Sequence, residues 1–346
     1  MTQEPRAYPL IETAIRRSPL SRLWTITAIA GVLLLLLVLM ASLDGKLASL
    51  LDWSVVRPTL SNIIFATYIL VVYPFMLRSR EKAVLAFKPL LSLDDDAFNK
   101  VAENISKPNR RGEWAAIILG ISVLGLVFFQ PWTLDWASGY LWMTVYEVIT
   151  TTIGMSLMGW LIYDASVGIV RVSRLSRQGL KLDILNTEKL APVAVWSLGM
   201  SFVFIGIITL AIIMDVSQTA EIVLDFKYFL GYGFLVGTTL LIFFFSMWTT
   251  HRAMSEAKNN KLTLARKHLA EISRELEDRE VKRQREGMIE LSSTFTAWTT
   301  YKREVQEAPT WPFNAMIIRR LFASILTPGL VYLIKILSQT GIRFGS

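Results

Sequence analysis

Cysteine is absent from the 346-residue chain, which excludes disulfides, thiolate catalysis and Cys-ligated metal. Histidine is nearly absent. The two present, His251 and His268, stand too far apart for a His-based metal site and read as solvated. Charge is scarce, at 18% of residues, while 53% are hydrophobic and the mean hydropathy is +0.43. A soluble chain this apolar would be unusual. Catalytic signatures are missing too: there is no Walker loop, HExxH, Gly-x-Ser-x-Gly or dinucleotide fingerprint. No enzyme chemistry and no cofactor are therefore expected. Inverted repeats of the secondary-transporter kind are not evident either.

What the chain has is long apolar runs, and a bilayer takes ~20 such residues in a helix. Runs over 23–43, 58–77, 114–129, 140–163, 193–214 and 228–248 predict six spans. Pro58 is placed in the first turn of its helix, where a missing N–H matters little. Before the first span, Leu10, Ile11, Ala14 and Ile15 followed by Arg16 and Arg17 predict a short amphipathic helix in the interface. Lys and Arg concentrate in the N-terminus, 78–111, 171–189 and 251–310, and are sparse or matched in 44–57, 131–139 and 215–227. That alternation predicts a cytoplasmic N-terminus and accounts for the net charge of +8 as a topology signal. Nucleic acid is the lesser alternative for that charge and is not an expected partner. Within the first basic loop, Ser92 is the expected cap of a small helix whose acids Asp94, Asp95 and Asp96 suit its positive end.

The last hundred residues differ in kind. Leu262, Ala265, Leu269, Ile272 and Leu276 repeat at alternating three and four, as in a coiled coil or helical hairpin. Met288, Leu291, Phe295, Trp298 and Val305 form a second stripe. Mixed charge over 275–286 predicts a solvated turn between them. Pro309 and Pro312, with Trp311 and Phe313, mark a stiff break at the membrane interface. Then come Arg319, Arg320, fourteen residues without charge, and Lys335. Fourteen residues give about 21 Å of helix, short of the ~30 Å apolar core. Arg319, Arg320 and Lys335 could snorkel outward to complete the crossing. The expected fold is all-α and polytopic, with six full transmembrane helices, a short seventh and a cytoplasmic helical hairpin. Its parts are a cytoplasmic amphipathic segment (1–22), a six-helix membrane domain (23–250), a cytoplasmic helical platform (251–312) and a short final helix with its tail (313–346).

Glu147 is the sharpest single residue, because a carboxylate inside a span faces a cavity, a partner or a proton path by default. Thr144, Thr151 and, less squarely, Thr150 share its face. Its bland reading is a boundary carboxylate, neutral or hydrogen-bonded. Asp164 is expected to meet the basic loop in a structural ion pair. Asn62 is expected to bridge helices. Arg171, Arg174 and Arg177 read as ordinary positive-inside charge or as contacts to anionic headgroups.

Two resemblances bear on the whole. Leu182-Asp183-Ile184-Leu185-Asn186 and Lys189-Leu190-Ala191-Pro192 look like a loop of bacterial multi-pass membrane proteins, which implies a bacterial inner membrane. The layout resembles the seven-helix ion channels of the insect odorant and gustatory receptor type, though Thr327-Pro328-Gly329-Leu330-Val331-Tyr332 stands where that family has an aromatic-Gln signature. The resemblance implies four subunits assembled through cytoplasmic helices around a pore lined by the last helix. On that reading Ser324, Thr327 and Val331 line the pore, and Arg319, Arg320 and Lys335 stand at its mouths. Leu269, Ile272, Leu276, Leu291, Phe295 and Trp298 hold the subunits together. The partners are then the lipid bilayer, further copies of the chain and inorganic ions. The alternatives are a proton- or ion-coupled transporter using Glu147 and a non-conducting scaffold.

Overall fold

A computed structural model describes residues 8–91, 94–123, 140–176, 191–215, 226–282 and 287–311, with 319, 322–324 and 326. Among these residues all regular structure is helical. In chain order the helices are α1 (Leu10–Arg17), α2 (Arg22–Leu43), α3 (Trp53–Ala86), α4 (Asp95–Ser106), α5 (Arg110–Leu119), α6 (Leu141–Ser176), α7 (Ala191–Asp215), α8 (Phe226–Val281) and α9 (Met288–Glu307). Five of them, α2, α3, α6, α7 and α8, are long and apolar enough to cross a membrane. The expected third span begins in α5 and continues as a π-helical turn over 120–123; its remainder, 124–129, lies outside the described residues.

The helices overrun the apolar runs that announce them. α3 carries Arg78, Arg80 and Lys82 to Ala86, α6 carries Arg171 and Arg174, and α8 continues for 56 residues to Val281. Hydropathy marks where an apolar environment ends, not where a backbone stops being helical. Neither Gly nor Pro interrupts 78–86, and the charged end of α8 is laced by i,i+4 pairs such as Glu275–Arg279 and Asp278–Lys282. Of the turn expected over 275–286, the part through Val281 is helical and 283–286 lies outside the described residues; Gly287, at φ 79°, supplies the left-handed residue that starts α9. α3 begins at Trp53, so Pro58 falls beyond its first turn. The cap of α4 is Asp94 rather than Ser92: its carboxylate accepts from the Ala97 N–H at 3.1 Å.

α7 is the most buried of the five long helices and packs between α3 and α8, while α6 packs on both α3 and α8. Lipid tails are as apolar as leucine, so close packing and polar ties hold such a bundle more than the hydrophobic effect does. The ties are visible. Tyr68 donates to the Val203 carbonyl at 3.1 Å, and the buried hydroxyls of Ser197 and Ser246 bond across α7 and α8. Asp44 accepts from the Trp142 and Met143 N–H groups at 3.1 and 2.8 Å, capping α6 from the far end of α2. α5 meets α6 where Gly120 and Gly159 let the two backbones touch.

α9 folds back along the second half of α8. Lys258 donates to the Gln306 and Ala308 carbonyls at 2.6 and 2.8 Å, satisfying the C-terminal end of α9. The histidines are not simply solvated, as expected from the charged stretch around them. His268 stacks on Trp298 at 4.5 Å, and His251 lies flat on Trp311 at 4.0 Å with Nδ1 2.9 Å from the Thr310 carbonyl. An imidazole is a flat aromatic ring as well as a polar one, and two tryptophans offer it a face.

Candidate functional site

A dense polar cluster sits where α1, the start of α2, α3 and α5 meet. It starts from Pro74, in the middle of α3. A proline has no N–H, so the carbonyl four residues earlier, Leu70, loses its helical partner. Arg22 takes that carbonyl at 3.0 Å and reaches Glu12 on α1 at 2.6 Å. Arg16 holds the other oxygen of Glu12 at 2.8 Å. Next to them Glu113 accepts from the Leu10 N–H at 3.0 Å, and Arg110 bonds both Glu113 and Thr13. The amphipathic helix expected at 10–17 is thus present, but it is strapped to the protein through a buried glutamate, not only laid on lipid.

Burial drives the Glu12 carboxyl up, but hydrogen bonds from Arg22 and Arg16 outweigh it and hold the group below the ordinary glutamate value. Glu113 goes the other way: burial pushes it up, and the Leu10 N–H and Arg110 do not offset that. A depressed carboxylate stabilises the fold above its unfolded pKa, and the contribution is lost as the pH falls through the folded value. Glu12→Gln should cost about 2 kcal/mol near neutral pH, the scale of a charged hydrogen bond. Thermal unfolding in detergent should show that gap closing as the pH drops through the depressed range, and hydrogen exchange over Leu10–Arg17 should rise in the variant.

Two helical turns beyond Pro74 lies the ion pair. Arg80 Nη1 stands 3.2 Å from both oxygens of Asp164 on α6, and both side chains are largely buried. Asp164 meets the 78–111 stretch as its position implied. Tyr73 and Trp160, one on each helix, are fully buried with rings 4.4 Å apart. Among the described residues neither the Tyr73 hydroxyl nor the Trp160 indole N–H finds an acceptor. Two donors without acceptors beside a charged pair make a polar seam between α3 and α6. Arg171 adds to it from α6, donating to the Lys107 carbonyl at the end of α4 at 2.6 Å, while Arg174 is exposed and Arg177 lies outside the described residues.

A second polar group lies further along α6. Asn62 donates to the Thr150 and Thr151 hydroxyls at 3.3 and 3.0 Å, bridging α3 and α6 as expected. Glu147, one turn away, is half-buried, and Thr150 also donates to its backbone carbonyl at 3.3 Å. The two groups belong to opposite halves of α6, so Glu147 and Asp164 do not form one site. Among the described residues no cluster of three His, Asp or Glu side chains comes together that could hold a metal ion.

The residues expected to assemble subunits lie along the α8–α9 pair: Leu269, Ile272, Leu276, Leu291 and Trp298 are half-buried, and Phe295 is exposed. Of the expected final-helix residues, Arg319 is helical and exposed, and Ser324 is helical and half-buried. Arg320, Thr327, Val331 and Lys335 lie outside the described residues. Sequence reasoning missed Glu12, Arg22, Tyr73, Arg80, Glu113 and Trp160. Pro74 inside an apolar run was the available signal, since a freed carbonyl needs a donor. Comparison with family models, with curated proteins and with solved structures finds no match for this chain.

Proposed function

We propose that the protein is a homo-oligomeric ion channel of the bacterial inner membrane, with a cytoplasmic N-terminus, six spans and a short seventh helix lining the pore. One observation carries the reading. α8 leaves its apolar half near Trp248 and continues unbroken to Val281, and α9 then returns along it until Thr310 and Trp311 lie against His251. The chain is thereby delivered back to the edge of the apolar zone just before its final apolar run, 321–334. A long helix, a return helix and a last segment starting at the bilayer edge is the layout of the channels that the sequence resembles. Arg319, Arg320 and Lys335 put positive charge near both ends of that segment, which favours anions, whereas the resemblance implies cations.

A second reading rests on Glu147. It stands half-buried in an apolar helix, one turn from the Asn62–Thr150–Thr151 bridge. A membrane-embedded carboxylate there suits a proton- or ion-coupled transporter. Planar-bilayer recording separates the two. The channel reading expects discrete conductance steps in the full chain, none in a truncation ending at Arg320, and steps retained in Glu147→Gln; ion substitution then sets selectivity. Coupled uptake into vesicles without steps, lost in Glu147→Gln, would replace the channel with the transporter.

A further inference from the structure

We propose that the face of α9 turned away from α8 is where a second copy of this chain docks, with the two α9 helices parallel and in register. The proposal rests on the reading of the protein as an assembly of copies, but not on conduction. It replaces the surface that the apolar stripes alone would choose.

α9 has two unlike faces. Leu291, Trp298 and Val305 recur every seven residues on the side that meets α8; Val305 is buried and Trp298 stacks on His268. Ile289, Ser293, Thr296 and Thr300, at spacings of four, three and four, lie on the opposite side and are all exposed. No charge occurs between Glu290 and Lys302. That is a long neutral stretch for the outer face of a helix in water. Ile289 is 87% exposed at its start, and it shares a shallow hollow with Met288, Ser292, Ser293 and Thr296. The hydroxyls do little to make this face polar. On it Ser293 donates to the Glu290 carbonyl at 2.8 Å and Thr296 to the Ser292 carbonyl at 2.9 Å. Their donors are spent on the helix itself, which leaves methyl groups and short side chains outward.

The membrane then selects the partner geometry. Copies embedded in one bilayer point the same way, so an axis relating them runs along the membrane normal. Their α9 helices meet parallel and at the same height. Ile289 faces its counterpart, as do Thr296 and Thr300. Beyond the neutral stretch, Arg303 and Glu304 flank the face on opposite sides. Both are exposed, and neither makes an ion pair among the described residues. Parallel packing sets Arg303 of one copy beside Glu304 of the next, whereas an antiparallel pair on the same face would carry these charges to the Ile289 end of the partner, away from each other. Charge and orientation thus agree on one arrangement, and the short side chains let the helices approach.

The absence of cysteine makes the test clean. Thr296→Cys and Ile289→Cys would be introduced singly into the full-length chain, with Lys261→Cys and Glu277→Cys on exposed α8 positions as controls. Each protein, in lipid nanodiscs or native membranes, would be oxidised or treated with a short bismaleimide. Linked dimer at 289 and 296, several-fold above both controls, is the expected result, and Thr296→Asp should disperse the copies by setting like charges face to face. Native mass spectrometry of the unmodified protein keeps the outcomes apart. Multiple copies with no excess linkage at 289 and 296 overturn this surface and leave the assembly standing; single copies alone overturn both.

Discussion

Gly159→Leu is expected to leave no correctly folded protein, while Gly154→Leu, five residues away on the same helix, is tolerated. A Cβ at Gly159 would lie 2.6 Å from both the Ala116 carbonyl oxygen and the Gly120 Cα, and one at Gly120 would meet the Met155 carbonyl at 2.5 Å. These neighbours are backbone, so no rotamer change can relieve the clash. At Gly154 nothing lies within 4 Å. Overpacking a core typically costs 1–3 kcal/mol when side chains can move; here α5 must separate from α6, and about 3 kcal/mol is a floor. α5 packs chiefly against α6, so its remaining ties are the polar ones from Glu113 and Arg110 to α1. Monodisperse yield and thermal unfolding in mild detergent read the result. If Gly159→Leu matched the wild type, the close α5–α6 crossing would be wrong. Gly159→Ala should fall between, since it adds the clashing atom and nothing more.

How far the sequence announces this structure depends on the kind of signal. The apolar runs located α2, α3, α6, α7 and α8 because a bilayer imposes length and composition directly. The amphipathic pattern at 10–17 located α1. Helix ends were less legible. Arg78, Arg80 and Lys82 look like loop residues by charge, yet the helix beneath them continues, and this overrun carries Arg80 to Asp164. Long-range polar ties were the least legible. Asp44 reads locally as part of a turn, and only the fold reveals that it caps a helix starting at Leu141. Glu12 and Glu113 sit among basic residues and read as part of a charged surface, though both are buried. The α9 stripe shows a related limit. Periodicity identifies an apolar face but not what covers it, and Leu291, Trp298 and Val305 turn toward α8 of the same chain.

Asp164→Asn is expected to destabilise the protein by about 3–5 kcal/mol, the usual loss when one member of a buried ion pair is removed. Asparagine keeps the shape and an acceptor oxygen but leaves the guanidinium of Arg80 without its counter-charge in a largely buried setting. Arg80→Met should cost a similar amount, because the carboxylate is then stranded instead. The double replacement Arg80→Met with Asp164→Leu should recover most of the loss. The desolvation of both charges disappears together with their attraction, and apolar pairs of similar volume often match or exceed a buried ion pair. Tyr73 and Trp160 sharpen the expectation. Among the described residues they already leave two buried donors without acceptors at this seam, so it has little reserve against another unmade bond. Thermal unfolding of the wild type, Arg80→Met, Asp164→Leu and their double replacement gives the coupling energy directly. Strong non-additivity, with the double variant above either single one, establishes Arg80–Asp164 as the tie that closes α3 against α6. Simple additivity would mean that the two charges act independently, and α3 and α6 would then be held by packing around Tyr73 and Trp160.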